Sequence, residues 1–528
     1  MSLYSKNDIS LLKVNIDKIL EEVEDKKMIL IEPYATEIKE VNSLIIQFIK
    51  EKKRKIYGGY AINLLIKESD PRDAIYKEKE NPDIDFYSPD PINDLVDLCN
   101  ILYQKGFRFI RGYEAQHKET YSIRVNNHLY CDISYVPKNI YNKIPFKIIN
   151  DIYVIHPYWY TIDFLRMMTD PVTSYWRIEK HFERFYYIQK HYPFPHIEKP
   201  INVLFPKDSE NEMRKIFGTV HNFLEGRETT MTVGFYAYDH FLIESKILKN
   251  NISRNNNYSP FKKFKILEVP YYEIISIDFR EDALALVSKI KSSDIQYENN
   301  ITVTEHYPYF QFLGHSAHIY YKDILIAIIY HYNKKCLPFL KVPSLTFSRN
   351  TINKGNNFIN IGTFSLTLMY ALMTLMKART DNDNDTKDLY YTFISHLLEI
   401  REYYLKKNNK NMLSESIFKD FVLECKGHVM TPEKERALLI ENRKKKNQRP
   451  IYAYDPSDGK KDTGAHYIFA NSSGNPVKNS KNLKLMEEDN EELPDVIEVT
   501  DVSELKDYDD NIENDQMVQN EDNEEPII

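Results

Sequence analysis

An α+β fold with a mixed sheet, present twice along the chain, is predicted by three observations. Short alternating apolar segments are interleaved with segments of helical spacing, the pattern of helices packed on a sheet. A glycine-anchored segment, "YGGYAINLLIKES" at 57–69, has a worn counterpart in "VGFYAYDHFLIES" at 233–245. An apolar fraction of 42% in 528 residues supplies real cores and is too much chain for one compact domain.

Residues 8–55 read as helical, with Asp8 as the N-cap and Leu11, Leu12, Val14, Ile16, Ile19 and Leu20 in near-helical spacing; a second helical stretch runs from about Thr36 to Lys53. Gly58 and Gly59 form a turn into a short helix ending near Lys67. A polar insertion at 67–82 leads to the strand "DIDFYS". A helix closed by Gly106 follows, then the strands "FRFIRGY", "TYSIRV" and "LYCDISYV", and a helical region from about Pro157 to Lys190. In the second half, "IDF" at 277–279 repeats "IDF" at 84–86, and "ILIAIIY" at 324–330 stands for "LYCDISY" at 129–135. That alignment pairs Gly59 with Phe235, Asp83 with Ser276, Asp85 with Asp278 and Asp132 with Ala327.

The net charge of −8 hides a strong asymmetry. Residues 487–528 hold 18 acidic and 1 basic side chain, so this tail carries −17 and the other 486 residues carry +9. The tail is expected to be disordered, because self-repulsion and few apolar groups cannot offset ordering entropy. A basic body with 40 tyrosines and 27 phenylalanines suits single-stranded nucleic acid, although an AT-rich genome would raise the tyrosine count equally well. Cys99, Cys131, Cys336 and Cys425 show no C-x-x-C spacing, and the N-terminus lacks a signal-peptide pattern, so a reducing intracellular compartment without disulfides is expected. Apolar runs such as "ILIAIIY" fall far short of the roughly 20 residues that cross a bilayer.

The chemistry concentrates at the glycine pair and the aspartates. On a strand, Asp83 and Asp85 point to one face, about 7 Å apart, while Ile84 and Phe86 point to the core. Asp132 shares the polar side of "LYCDISY", so neighbouring strands would bring three carboxylates together. Hard divalent cations would neutralise such a cluster. Gly58 and Gly59 would let backbone N–H groups approach a triphosphate, with the positive end of the next helix aimed at the same anion. Arg166, Arg177, Lys180 and Arg184 lie on the helices after the third aspartate, either as phosphate contacts or as a solvated face. No P-loop, zinc pattern or G-x-S-x-G is present.

The order glycine pair, helix, D-h-D-h, strand with a third Asp resembles the nucleotidyltransferase superfamily that includes DNA polymerase beta, CCA-adding enzymes and poly(A) polymerases. The degenerate second copy narrows the resemblance to the poly(A) polymerase catalytic subunit of poxviruses and of giant, mimivirus-like DNA viruses. It covers roughly residues 1–410 in architecture, and the segments 57–63, 83–86 and 129–135 carry the motif. Two departures stand out: Gly59 and Asp83 are further apart than in most of the superfamily, and no serine follows the glycines. Tyr60 or Asn63 would substitute for it.

The resemblance implies a helical N-terminal region (1–55), a catalytic domain (56–192), a connecting segment (193–232), a degenerate copy (233–412), a C-terminal extension (413–486) and the acidic tail (487–528). It implies AMP transfer from ATP to RNA 3′ ends, with Asp83, Asp85 and Asp132 holding two Mg²⁺ or Mn²⁺ ions and Gly58, Gly59, Tyr60 and Asn63 binding nucleotide. The second copy would be structural or RNA-guiding. A homodimer or a partner subunit would supply processivity, in host cytoplasm (the viral factory) and virion. Another RNA nucleotidyltransferase and a non-catalytic RNA-binding scaffold are the competing readings.

Overall fold

The computed structural model describes residues 4–76, 80, 82–117, 119–174, 177–203, 210–248, 260–294, 297, 299–309, 313–348, 351–447, 450–458 and 496–499. The first unit begins with one helix, α1 (Lys6–Glu51), in place of two helical stretches. Its N-cap is Ser5: the hydroxyl accepts from the Asp8 N–H while the Asp8 carboxylate accepts from the Ser5 N–H, so Asp8 is the third helical residue and not the cap. Among the described side chains of α1, those of its C-terminal part enter the core, through Val41, Ile45, Phe48 and Ile49, with Phe48 on Phe86.

The chain continues through β1 (Lys55–Tyr57), α2 (Gly58–Ser69), β2 (Ile84–Ser88), α3 (Pro91–Gln104), β3 (Ile110–Glu114), β4 (Thr120–Val125), β5 (His128–Tyr135), α4 (Lys138–Lys143), β6 (Phe146–Ile149), β7 (Ile152–Ile155), α5 (Pro157–Met168), α6 (Pro171–Ser174) and α7 (Ile178–His191). The second unit runs α8 (Glu210–Leu224), β8 (Thr230–Val233), α9 (Gly234–Ser245), β9 (Tyr272–Ser276), α10 (Phe279–Ser293), β10 (Ile301–His306), β11 (Ser316–Tyr321), β12 (Ile324–His331), β13 (Leu337–Ser348), β14 (Thr351–Gly362), α11 (Phe364–Asp381) and α12 (Asn384–Lys407). The hairpin β6–β7, absent from the sequence reading, turns at Asn150 and Asp151, both at positive φ.

Sheet order proves the duplication. The first sheet is β6-β7-β1-β2-β5-β4-β3-β16 and the second is β15-β13-β14-β8-β9-β12-β11-β10-β17, where β15 is Cys425–Lys426, β16 is Ala453–Tyr454 and β17 is Val496–Val499. From the hairpin onward the two sheets match strand for strand, with the same parallel and antiparallel pairings. Even a buried clasp repeats. Ser88 donates to Asp94 (2.5 Å), which pairs with Arg54 (2.6 Å); Ser276 donates to Asp282 (2.5 Å), which pairs with Arg227.

Both sheets are closed at the same edge by chain from the C-terminal side. After α12 the chain pairs Cys425–Lys426 with β13 and forms helix α13 (Pro432–Lys445). It then adds Ala453–Tyr454 to β3, back in the first unit. This strap is fastened by Arg443, whose guanidinium grips the buried Glu114 carboxylate at 2.6 and 3.1 Å. Two expectations are corrected here. Cys336 and Cys425 form a disulfide, because strand pairing brings residues 89 apart in sequence to a Cα separation of 5.2 Å. Residues 496–499, expected to be disordered, form β17 on the edge of β10, where four residues of backbone find ladder partners; the rest of the acidic tail lies outside the described residues. Among the described residues no helix is long and apolar enough to cross a membrane.

Breaking a buried ion pair from one side costs about 3–5 kcal/mol because the remaining charge stays buried. Arg443→Met should therefore lower the melting temperature and open the strap to limited proteolysis between residues 432 and 458, read by mass spectrometry of the fragments. An unchanged cleavage pattern would mean that the strand addition alone holds the strap.

Candidate active site

The site forms on the sheet face opposite α3. Ile84, Phe86, Cys131 and Ile133 face the core, and the alternate positions Asp85 and Asp132 face the other way. Strands β2 and β5 are parallel neighbours with Asp85 directly opposite Asp132. Asp83 immediately precedes β2 and is exposed. Along the same row, Tyr57 pairs with Asp85, and Ser122 with Asp132, to which it donates at 2.6 Å.

Gly58 has φ +74°, and a Cβ there would lie 2.0 Å from Asp85 Oδ2. The carboxylate thus rests against the first residue of α2, whose N-cap Tyr57 makes no side-chain cap. A Cβ on Gly59 would lie 2.2 Å from the Tyr76 hydroxyl and 3.1 Å from the Arg184 guanidinium, which itself donates to Tyr76 at 2.8 Å. Arg184 from α7 and the glycine turn therefore meet at one point.

Burial first, then repulsion from Asp83 and Asp132, pushes the Asp85 carboxyl well above the usual carboxylate range, and Arg184 only partly offsets this. Burial and Asp83 also raise Asp132, against the Ser122 hydrogen bond and Arg124. Lys180 is lowered by burial and by Arg184 and is drawn back by Asp83. Beside the carboxylates on the same face, Tyr57 and Tyr87 stack at 4.1 Å as a tyrosine floor, and Tyr57 shares a 2.7 Å hydrogen bond with Ser134.

Several expectations are refined by these positions. Gly58, Gly59, Asp85, Asp132, Lys180 and Arg184 converge, with Asp83 at the rim. The three carboxylates do not form a ready-made cage: among the described residues no three His, Cys, Asp or Glu side chains enclose one point. Asp83 stands outside the strand proper, and Asp132 is drawn toward Ser122. Asn63 is buried, and its oxygen accepts from the N–H groups of Ile75 and Tyr76 at 3.1 and 3.4 Å. It positions the loop carrying Tyr76 and does not face the turn as a serine substitute. Tyr60 packs partly buried against the core. Arg166 is paired with Asp163 (2.6 Å) and Arg177 meets His117 (3.3 Å), so both sit toward the α5–α7 junction. Tyr76, Ser122 and the tyrosine floor were missed; Ser122 alone had a signal, as the alternate position of a strand beside Asp132.

The second unit corrects the alignment. A Cβ on Gly234 (φ +63°) would lie 1.8 Å from Glu273 Oε2, so Glu273 and not Asp278 is the counterpart of Asp85. Strand register then places Ile328, not Ala327, opposite Glu273 where Asp132 stands opposite Asp85, and Tyr271, not Ser276, in the place of Asp83. Asp278 corresponds to Asp90: each backbone N–H donates to the serine of the clasp. The identical "IDF" triplets were misleading because one lies within a strand and the other leads into a helix. Glu273 is buried beneath Tyr390 (3.4 Å) and Tyr330 (3.5 Å), and burial raises its carboxyl to about 7.

The donor set of the first unit fits divalent cations. It offers oxygen ligands whose burial and mutual repulsion a cation would relieve, beside a cradle that any Cβ would fill. Because the Asp85 and Asp132 carboxyls are raised in the folded state, their contribution to the stability of the metal-free protein is full at low pH and is lost as pH rises from the ordinary carboxylate value through the raised ones. Asp85→Asn should flatten that dependence and raise the melting temperature in EDTA at neutral pH. Gly58→Ala should do the reverse, displacing Asp85 and adding roughly 1–2 kcal/mol of left-handed strain. Thermal melts from pH 4 to 8 check both.

Residues 43–174 match the family model "Poly(A) polymerase catalytic subunit". Residues 221–487 match "APMV, Putative poly(A) polymerase, catalytic subunit, C-terminal". The chain is 32% identical over 512 residues to a "Putative poly(A) polymerase catalytic subunit" of Acanthamoeba polyphaga mimivirus, covering 94% of this chain and 86% of that one. A protein of the same description from African swine fever virus (strain Badajoz 1971 Vero-adapted) is 34% identical over 174 residues, covering 31% and 35%. The crystal structure of the Megavirus polyadenylate synthase superposes with a TM-score of 0.77 at 30% identity, over 91% of this chain and 94% of that one. Two family models in tandem and a relative aligned over most of both chains agree with the duplicated sheets, and this chain belongs to the poly(A) polymerase catalytic subunit family, a family of polyadenylating enzymes.

Proposed function

We propose that this enzyme transfers AMP from ATP to RNA 3′ ends by a two-metal displacement at Asp83, Asp85 and Asp132. One observation carries the reading: Asp85 and Asp132 stand side by side on parallel strands, directly beneath the Gly58 turn and the Arg184 guanidinium. The turn and the start of α2 bind the triphosphate through backbone N–H groups, with Arg184 and Lys180 as cationic partners. Asp132, held by Ser122, accepts the proton of the RNA 3′-hydroxyl; burial makes its carboxylate a stronger base than an exposed one. Asp83, Asp85 and Asp132 would hold the ions, Mg²⁺ or Mn²⁺, which supply charge neutralisation of the phosphates and acidify the attacking hydroxyl. The 3′ oxygen bonds to the α-phosphorus, the bond to the bridging oxygen of the β-phosphate breaks, and pyrophosphate leaves.

The second unit cannot share this role, since a tyrosine-covered Glu273 opposite Ile328 offers no paired carboxylates. It guides RNA or braces the first unit. Processivity comes from a homodimer or a separate subunit, and the site of action is the host cytoplasm and virion.

The test is extension of a labelled single-stranded RNA primer with each NTP separately, in Mg²⁺ or Mn²⁺. Long products with ATP alone are expected, and Asp83→Ala/Asp85→Ala should lower the rate by at least about 10³-fold, about 4 kcal/mol of barrier. Equal use of UTP or CTP would favour a different RNA nucleotidyltransferase. Binding of RNA without extension would return the scaffold reading.

A further inference from the structure

At the edge of the first sheet, on the β4 side of Asp132, lies a cleft of about 730 Å³ between strands β3 and β4 and the C-terminal strap, whose Tyr454 hydroxyl reaches Asn100 of α3 at 2.7 Å. Its floor is set by register. Tyr113 is opposite Ser122, which is opposite Asp132, and Arg111 is opposite Arg124, each two residues along the same face. Tyr113 therefore stands two strand spacings, about 10 Å, from Asp132 on the same surface. Arg124 donates to the Tyr113 hydroxyl at 2.6 Å. Neither Arg111 nor Arg124 makes an ion pair among the described residues, and both are exposed. Phe109, 81% exposed, stands in the same cleft. Asp455 and Asp458 line the strap side, and Asp455 is engaged by the Ser457 N–H (2.9 Å) and hydroxyl (2.6 Å).

In-line displacement fixes what must arrive here. The leaving pyrophosphate and the attacking hydroxyl lie on opposite sides of the α-phosphorus. With the triphosphate seated at Gly58, Gly59 and Arg184, on the β1 side of Asp85, the acceptor must approach from the far side of Asp132, across β4 and β3. Two guanidinium groups with no carboxylate partner among the described residues, beside an exposed aromatic ring, are the combination that tracks a phosphate backbone and stacks bases without sequence preference.

We propose that this cleft seats the 3′-terminal nucleotides of the RNA acceptor, with Arg111 and Arg124 on backbone phosphates, Phe109 against a base and the strap as its outer wall. The assignment rests on the polyadenylation reading above and adds to it the place of the primer. It also makes the C-terminal extension part of the substrate site.

Full-length Arg111→Ala/Arg124→Ala tests it, compared with wild type for a fluorescein-labelled 15-nucleotide oligo(A) RNA. The primer KM should rise at least about tenfold, while the ATP KM stays within about twofold. In anisotropy titrations at several KCl concentrations, the log–log salt slope should fall by about 1.4, two phosphate contacts at about 0.7 each for a single strand. Arg111→Lys/Arg124→Lys should keep the slope, which separates lost charge from lost folding. An unchanged primer KM and slope, or a rise in ATP KM alone, would overturn the proposal. If wild type extends no RNA with any nucleotide, the polyadenylation reading fails on its own, and the binding slopes still decide whether this cleft holds RNA.

Discussion

The close approach of an acidic side chain on the second strand to the first residue of the helix after the first strand sets the geometry on which both units depend. At Gly58 and at Gly234 the space of a Cβ is filled by a carboxylate, and the backbone takes a positive φ that side chains disfavour. This turn brings the N-terminus of the helix over the strand ends. In the first unit the result is a positive helix end beside a carboxylate pair. In the second the same contact persists between Gly234 and Glu273 although the partner acid is gone, so the contact is architectural before it is chemical.

The difference between the two units is one of covering and charge. In the second, the longer Glu273 reaches the tyrosines of α12 and β12, and Tyr271 shares a 2.9 Å hydrogen bond with Tyr390. Phe235 and Phe393 close around them, and a carboxyl raised to about 7 fits an apolar seal more readily than an ionised one. In the first unit the tyrosines, Tyr57 and Tyr87, lie beside the acids on the same face and do not cover them, and Arg184 and Lys180 stand nearby. Three carboxylates and a cationic helix form a charged surface that is unfavourable by itself and becomes favourable when polyanion and cations are held together.

The parts that were legible in the sequence are those with local signatures. The glycine pair, the alternation of Asp85 with the core residues Ile84 and Phe86, and the helix closed by Gly106 each follow from backbone rules that act over a few residues. Asp132 was placed because alternation fixes its face, and the duplication was visible through the same glycine turn. What could not be read depended on contacts between distant segments. The Cys336–Cys425 bond arises only from pairing β15 with β13, and Asn63 is committed to a loop twelve residues on. The alignment of Asp278 with Asp85 failed because identity of three letters carried no information about whether they lay in a strand or at a helix start.

The closing of both sheets by C-terminal chain changes how the halves are related. Strand β16 occupies on the first sheet the position that β17 occupies on the second, each antiparallel to the outer strand of the corresponding meander. An outer strand left open would present unpaired N–H and C=O groups, and covering it removes that hazard. The strap that reaches β3 comes from the second unit, is anchored there by Cys425 and gripped at its far end by Arg443 on Glu114. The second unit is thereby tied to the edge of the catalytic sheet through covalent chain, a disulfide and a buried ion pair. A unit in which Glu273 stands opposite Ile328, with no paired acid, thus still braces the outer strand of the sheet that carries Asp132.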